Sequence, residues 1–500
     1  MDSITEKYHK HIKGIISCYD RVVIHGTLPS FCYAEGMTSF LYANQIRIFD
    51  YPLFAQSLRD ELRDNAEKIA RENDLEIEFI QKNNFRKENQ IQKILKQRGD
   101  DPGIVHIFSA MEACTAYKPW HDKKTHKTFL KTVRGKCLHY YFYFIDKNLG
   151  LCYVRVPTWC PFRLQIYFNG HNWLASELRK RKIDYTLLDN AFVEIQNFDK
   201  AQKISDKFDV VKLHKALDTF AKKYCPVIQK FEISYHWSIM QVEYATDIIF
   251  KHQEKLNILY DQIIRTAIHT VKPENIATFL GRKLHGNYQD EMGNQFNIRI
   301  EGTRVKHSMG PVSLKMYDKF SLILRIETTA NNVSFFKHYR MVEHKDGTSS
   351  MKYAQMKKAI YSLSPLIKIL HAANQRYIEF ISAFDDHSTG IKKLNNVSKT
   401  IIENKRSYKG FNFFSENDQI ILEKIVNGEF LITGFRNKTL RERIPGKNAG
   451  QVSRIIKRLR THGIIKKVRN SYKYYPTKHG IEVILAGLKL KDIYFVPALS

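Results

Sequence analysis

From Val312 to Thr329 the sequence alternates with a period of two, through VSLKMYDK and, after a short break, LILRIETT. A helix cannot keep that pattern on one face, so this part of the chain is expected to be sheet. Alternation sorts Val312, Leu314, Met316, Leu322, Leu324 and Ile326 to one side, and Ser313, Lys315, Tyr317, Lys319, Arg325, Glu327 and Thr329 to the other. A third stretch, NIRIEGTRVKH (297–307), shares an R-I-E-x-T pattern with RIETT. It adds Ile298 and Ile300 to the apolar side and Arg299, Glu301, Thr303 and His307 to the polar side. A face of this kind is either solvated surface or a site, and solvent-facing strands do favour Thr, Lys and Glu.

The second reading has definite chemistry. A tyrosine attacks a phosphodiester when cations lower its pKa and stabilise the developing charge, which makes Tyr317, Lys315, Lys319 and Arg325 the catalytic candidates. Glu301, His307 and Glu327 offer oxygen and nitrogen ligands for Mg²⁺ or Mn²⁺. The YDK…LRIE run is similar to the Y-x-K…R-x-E run of some rolling-circle replication initiators, and that resemblance implies metal-dependent nicking of DNA. Those enzymes commonly carry a His-hydrophobic-His motif, where this chain has His9-Lys10-His11.

Composition narrows the partner. Eighty Lys and Arg against 51 Asp and Glu leave a net charge of +29 over 500 residues, an excess that points to a polyanion and to nucleic acid ahead of a membrane surface. No run of 18 apolar residues occurs, and the first 20 residues lack a signal peptide's uninterrupted apolar stretch, so a cytoplasmic protein without membrane association is expected. Seven cysteines without a C-x-x-C pair fit reduced thiols. Cys137, His139, Cys152 and Cys160 match no zinc-ligand spacing.

The expected fold is α+β and multidomain. Residues 1–115 read as an α/β unit, with RVVIHGTL as a strand and Leu58, Leu62, Ala66 and Ile69 as the core stripe of a helix. Asp20 resembles the aspartate that opens the first strand of RNase H-like nucleases, but it precedes the apolar run and is read as a strand-start or turn residue. Residues 116–385 read as a mixed sheet and helical domain. Its aromatic strands (HYYFYF at 139–144) are core in one reading and a base-stacking platform for RNA in another. A long helix over about 237–270 would place Glu243 and Asp247 on one face, to hold a metal or as solvated surface. Residues 20–385, with NGHNWLA and KMYDK…LRIETT, resemble a family of bacterial proteins to which no activity is assigned. Residues 386–410 read as a linker.

Residues 411–500 give the clearest pattern. Ser415 and Asp418 are spaced as a capping box before a helix; a short helix ends at Pro445; a helix over 449–462 turns Val452, Ile455, Ile456 and Leu459 inward; and IIKKV and YKYYPT flank a turn. This order resembles the winged helix-turn-helix of MarR-like families, and implies that the 449–462 helix enters the major groove while the hairpin is the wing. The implied nucleic-acid contacts are Gln451, Ser453, Arg454, Lys457, Arg458 and Arg460 on the helix, and Lys466, Lys467, Arg469 and Lys473 on the wing. Residues 431–480 hold 14 Lys and Arg against one acidic residue, which favours double-stranded DNA, with RNA as an alternative. The expectation is a DNA-binding protein of bacterial or mobile-element origin acting as a metal-dependent nickase or replication initiator. The alternatives are a non-enzymatic transcriptional regulator and an RNA-binding protein. Oligomeric state is left open.

Overall fold

The computed structural model describes residues 4–82, 84–284, 288–299, 302–383, 387–469, 471–491 and 496–499. The chain divides into two compact units, Met1–Ala383 and Phe384–Ser500.

The first unit is built on one mixed sheet. Its strands are β1 (Ile12–Thr27), β2 (Ile77–Phe79), β3 (Gly103–Asp122), β4 (Lys127–Asp146), β5 (Gly150–Pro157) and β6 (Leu164–Asn169), followed, after a separate hairpin of β7 (Tyr185–Leu188) and β8 (Ala191–Ile195), by β9 (His236–Phe250), β10 (Met292–Arg299), β11 (Gly302–Met309), β12 (Val312–Lys319) and β13 (Ile323–Ala330). The order across the sheet is β10-β11-β12-β13-β9-β1-β6-β5-β4-β3-β2, antiparallel except for the β2–β3 pair. The N-terminal strand therefore lies mid-sheet, between β9 and β6. That placement removes the expected domain boundary at 115, which falls inside β3, and fuses the expected α/β region with residues 116–383 into one unit.

One face of the sheet packs on a large core that takes in the helices Tyr51–Glu72, Val210–Tyr224 and Leu363–Ala383. Leu58, Leu62, Ala66 and Ile69 are buried there as the helical period predicts. Over β1, β9 and β13 the opposite face carries the helix Gly170–Lys180, the helix Phe198–Ser205 and the β7–β8 hairpin, with Leu174, Leu178, Phe192, Ile249 and Ile323 between them. Tyr140, Phe142 and Phe144 of β4 enter the large core while Tyr141 and Tyr143 fill a third cluster, so both faces of HYYFYF are core.

The long helix expected over 237–270 is a strand followed by a helix, β9 and Gln253–Thr270. From Tyr244 to Phe250 every residue of β9 is buried. A central strand covered on both faces reads as a continuous apolar run, and such a run also satisfies helical spacing.

The second unit contains the helices His387–Ser398, Glu416–Ile425, Gly428–Thr433, Asn437–Arg443, Ala449–Thr461 and Lys478–Leu490, and the two-stranded pairs Ile401–Glu403 with Arg406–Tyr408 and Ile465–Lys467 with Tyr474–Pro476. Val397, Phe411, Leu422, Leu440, Val452, Ile456, Leu459 and Ile484 share its core. Residues 397–410 are thus part of this unit and not a linker: Val397 is buried, and Glu403 accepts from Lys457 at 2.6 Å. Nor does Ser415 cap its helix through its side chain; Asp418 instead accepts from the Asn412 amide at 2.9 Å.

Candidate functional site

Strand register assembles the site. Antiparallel pairing sets Arg325 opposite both Tyr317 and Asp247, Glu327 opposite Lys315, and Thr329 opposite Ser313 and Glu243. Directly opposed residues share a face. Glu243 and Asp247 therefore do lie on one side, two alternations apart on a strand and not one turn apart on a helix. Asp20 joins them by alternation along β1. The register of β1 against β9 shifts between Tyr19 and Val22, so that Tyr19 and Val22 both enter the large core while Cys18, before the shift, faces the smaller one. Asp20, two residues beyond Cys18, lies on the same side by alternation, 3.3 Å from Arg325, and the shift changes parity only beyond it.

Arg325 is the hub. It is fully buried, and its Nε and Nη2 donate to the two oxygens of Asp247 at 2.6 and 2.7 Å. Nη1 reaches Asp20 Oδ2 at 3.3 Å, and Nη2 also donates to the Asn190 carbonyl at 2.6 Å. Asn169 and Asn190 donate to Asp20 Oδ1 at 3.0 and 2.6 Å. His171 sits between the two aspartates, Nδ1 3.2 Å from Asp20 and Nε2 3.5 Å from Asp247. It is held there by Asn169, which caps the helix by accepting from the His171 amide. Burial alone would raise Asp20 and Asp247; the Arg325 charge and the hydrogen bonds outweigh it and hold both below the usual carboxylate range.

Towards the open end, Lys315 Nζ donates to Glu327 at 2.7 Å and to Glu243 at 3.2 Å, and Tyr317 Oη donates to the other Glu327 oxygen at 2.8 Å. Burial and the Glu327 charge push Glu243 upward, with Lys315 opposing. Burial lowers Lys315, but its two carboxylate partners outweigh that and raise it. Asp20, Glu243 and Glu327 each present an oxygen within 4.8 Å of the others, the single such group of three metal-competent side chains among the described residues. Four carboxylates, these three and Asp247, face Arg325, Lys315 and His171, which burial lowers but Cys18 and its two aspartate partners raise well above the ordinary imidazole value, so one negative charge is left over. The hard oxygen donors and the residual negative charge both suit a divalent ion of the Mg²⁺ or Mn²⁺ type.

No protein-family model, curated protein or solved structure matches the chain. Assignment rests on the geometry.

The sequence-derived candidates divide. Tyr317, Lys315, Arg325 and Glu327 do share one face, but Arg325 and Glu327 are buried, at 0% and 2% exposure, where an exposed face was expected. The cations do not favour a Tyr317 phenolate: burial first, then Glu327, hold the phenol well above its ordinary value. Arg325 is committed to the protein, and Lys319 is engaged by Asp189 at 3.1 Å and by Asn190. His307 is not a partner of Glu327. It pairs in register with Leu314 on the apolar face, hydrogen-bonded to Asn294 at 2.7 Å and Tyr377 at 3.0 Å, and burial lowers it to about 4. Arg299 pairs with Gly302, an odd position with an even one, so the two faces exchange parity between β10 and β11. Glu301 lies outside the described residues. Of the four residues Cys137, His139, Cys152 and Cys160, Cys137 and His139 meet, with the His139 ring against the Cys137 carbonyl.

Sequence reading took Asp20 as a strand-start or turn residue and left Glu243 and Asp247 between a metal pair and solvated surface. The usable signal was Asn169-Gly170-His171: an N-cap asparagine whose helix opens on a histidine puts a titratable ring at a strand end.

In the second unit Ser453, Arg454, Arg460, Lys466, Lys467 and Arg469 are exposed. Lys473 is half-buried, near the Tyr475 ring. Three others are spoken for within the unit. Gln451 closes a capping box with Asn448, Lys457 pairs with Glu403, and Arg458 grips Asp418 and the carbonyls of Lys409 and Gly410. Arg458 is not available for a base.

Proposed function

We propose that this is a DNA-binding protein of the bacterial or mobile-element kind that cuts a phosphodiester with a divalent ion held by Asp20, Glu243 and Glu327. The convergence of those three carboxylates on adjacent central strands carries the reading. A divalent ion there would offset phosphate charge and make a nearby water more acidic. Arg325 fixes Asp20 and Asp247, Lys315 holds Glu243 and Glu327 at one separation, and Tyr317 is a hydrogen-bond donor to Glu327, so the attacking group is a water and not the tyrosine. Because Glu243 is raised by burial and by Glu327, cation binding there would strengthen as pH rises.

The second unit is read as a winged helix. A short helix (Asn437–Arg443), a helix with one cationic face (Ala449–Thr461) and a β-hairpin succeed one another in that order, and Arg454, Lys466, Lys467 and Arg469 are the exposed cations that would meet duplex DNA. RNA recognition on the β4 aromatics loses support because those rings are buried.

The test is nicking of supercoiled DNA in Mg²⁺ or Mn²⁺ by wild type, Glu327→Gln, Asp20→Asn and Tyr317→Phe, alongside Mn²⁺ binding by electron paramagnetic resonance. Expected are cutting by wild type and Tyr317→Phe, and loss of both cutting and Mn²⁺ binding in Glu327→Gln. Abolition by Tyr317→Phe alone would restore the covalent tyrosine. Absence of both ion binding and cutting in wild type would leave the regulator reading in front.

A further inference from the structure

The first unit contains a cavity away from the carboxylate cluster. It encloses about 720 Å³ between the helix Gly170–Lys180, the helix Phe198–Ser205 and the helix Val210–Tyr224. Its floor is apolar, with Trp173 edge-on to Phe208 (4.7 Å between ring centroids) beside Leu149, Ile204 and Leu213. Its rim carries Lys180, Arg181, Lys200, Lys203, Lys207 and Lys212 against two acids, Glu177 and Asp209. Glu177 is taken by Lys180 at 2.8 Å and by Arg181 at 2.5 Å, and Asp209 by Lys212 at 3.4 Å.

Lys200, Lys203 and Lys207 are then left without an acidic partner among the described residues, and they succeed one another at i, i+3 and i+7. Like charges at that spacing repel, and Asp199 and Asp206, which lie beside them in the sequence, do not line the cavity. Cations from three helices around an aromatic floor need an anion that also carries a flat apolar group. An inorganic phosphate would use the rim and ignore the floor; a nucleotide unit uses both, with phosphates on the lysines and a base against Trp173.

We infer that this cavity binds a segment of single-stranded nucleic acid. The inference rests on the nucleic-acid reading above and extends it to the strand that leaves the duplex. His171 and Lys180 stand at opposite ends of one helix, a rise of about 14 Å, so one rigid element spaces the cavity's rim from the carboxylate cluster.

The experiment uses the full chain, an oligo(dT) strand and EDTA, so that neither cleavage nor an ion is involved. All four tryptophans lie in the first unit, so intrinsic tryptophan fluorescence reports that unit alone. Expected is saturable quenching that Trp173→Phe largely removes. Lys200→Ala/Lys203→Ala/Lys207→Ala should weaken it at least about tenfold and lower the salt slope by about 2, with circular dichroism unchanged. Inorganic polyphosphate is the competing arm. If it competes fully at equal phosphate concentration and Trp173→Phe binds oligo(dT) as wild type does by anisotropy, the cavity is a plain anion site and the inference fails. It fails also if oligo(dT) gives no quenching, or if the triple variant is quenched like wild type. Nicking without quenching would leave the carboxylate reading standing and remove only this one.

Discussion

Arg454 and Arg458 lie four residues apart on one helix and both looked like base-reading residues, yet their replacement by alanine is expected to do different things. Arg458 donates to Asp418 at 2.8 and 2.9 Å, to the Lys409 carbonyl at 2.8 Å and to the Gly410 carbonyl at 2.6 Å, and its guanidinium lies 3.8 Å from the Phe411 ring centroid. Its side chain is 19% exposed and that of Asp418 11%. Removing one partner of a fully buried pair costs about 3–5 kcal/mol, and partial solvent access reduces this to about 2–4 kcal/mol. In a fragment of residues 384–500, with a urea m-value of about 1–2 kcal/mol/M, the midpoint should fall by roughly 1–4 M. Arg454 is exposed, and Arg454→Ala should leave the stability within about 0.5 kcal/mol of wild type while weakening duplex DNA binding by about 1–3 kcal/mol. Urea titrations followed by far-UV circular dichroism, and fluorescence anisotropy on duplex DNA at several salt concentrations, separate the two effects. Equal midpoints for Arg458→Ala and Arg454→Ala would refute the structural role of Arg458, as would Arg458→Ala remaining fully folded and losing only DNA affinity.

Arg325→Gln should destabilise the first unit by about 3–5 kcal/mol by leaving Asp20 and Asp247 buried without their cation, and adding Asp247→Asn should recover part of that; tryptophan fluorescence during thermal unfolding reads it. His307 and His139 are both lowered to about 4, His307 by burial and His139 by burial and Arg155. A depressed histidine binds its proton more readily in the unfolded chain, so stability is full above about pH 6.5 and declines as pH falls towards 4, by about 3 kcal/mol for each. His307→Gln should flatten that decline by one proton in urea titrations across pH 4–7, and an unchanged slope would contradict the assigned burial. A fragment beginning at 411 should unfold at lower urea than one beginning at 384, because it lacks Val397, Glu403 and the carbonyls that hold Arg458 and His462; equal midpoints would return 386–410 to linker status.

Strand parity accounts for most of what was legible in the sequence. Lys315, Tyr317, Arg325 and Glu327 were placed on one face correctly because alternation depends only on the backbone. Their burial was not legible, since the hairpin and helices that cover them come from residues 170–205. His307 went to the wrong face because the pairing of Arg299 with Gly302 reverses parity and the count ran straight through it. Asp20 was read as a strand-start or turn residue because its strand begins eight residues earlier, at Ile12, through the mildly polar IKGIISC. Glu243 and Asp247 were misread because a doubly buried strand imitates helical spacing. The second unit's helices were legible from caps and stripes, but the partners of Lys457 and Arg458 lie about 40–60 residues away along the chain, beyond the reach of a local pattern.

The central position of β1 also bears on how the protein is made. A growing chain exposes Asp20 early, but the strand that carries it lacks β6 until residue 169 and β9 until residue 250, and Glu327 comes later still. At about 5–20 residues per second, roughly 15–60 s separate the synthesis of the first carboxylate from that of the last. A nascent or prematurely terminated chain ending before β13 carries Asp20 and Glu243 without Glu327, and without Arg325, which holds Asp20. A complete cluster, and with it any phosphodiester cutting on the reading proposed above, is therefore withheld from the ribosome-bound chain, close to messenger RNA, until the whole sheet has been translated.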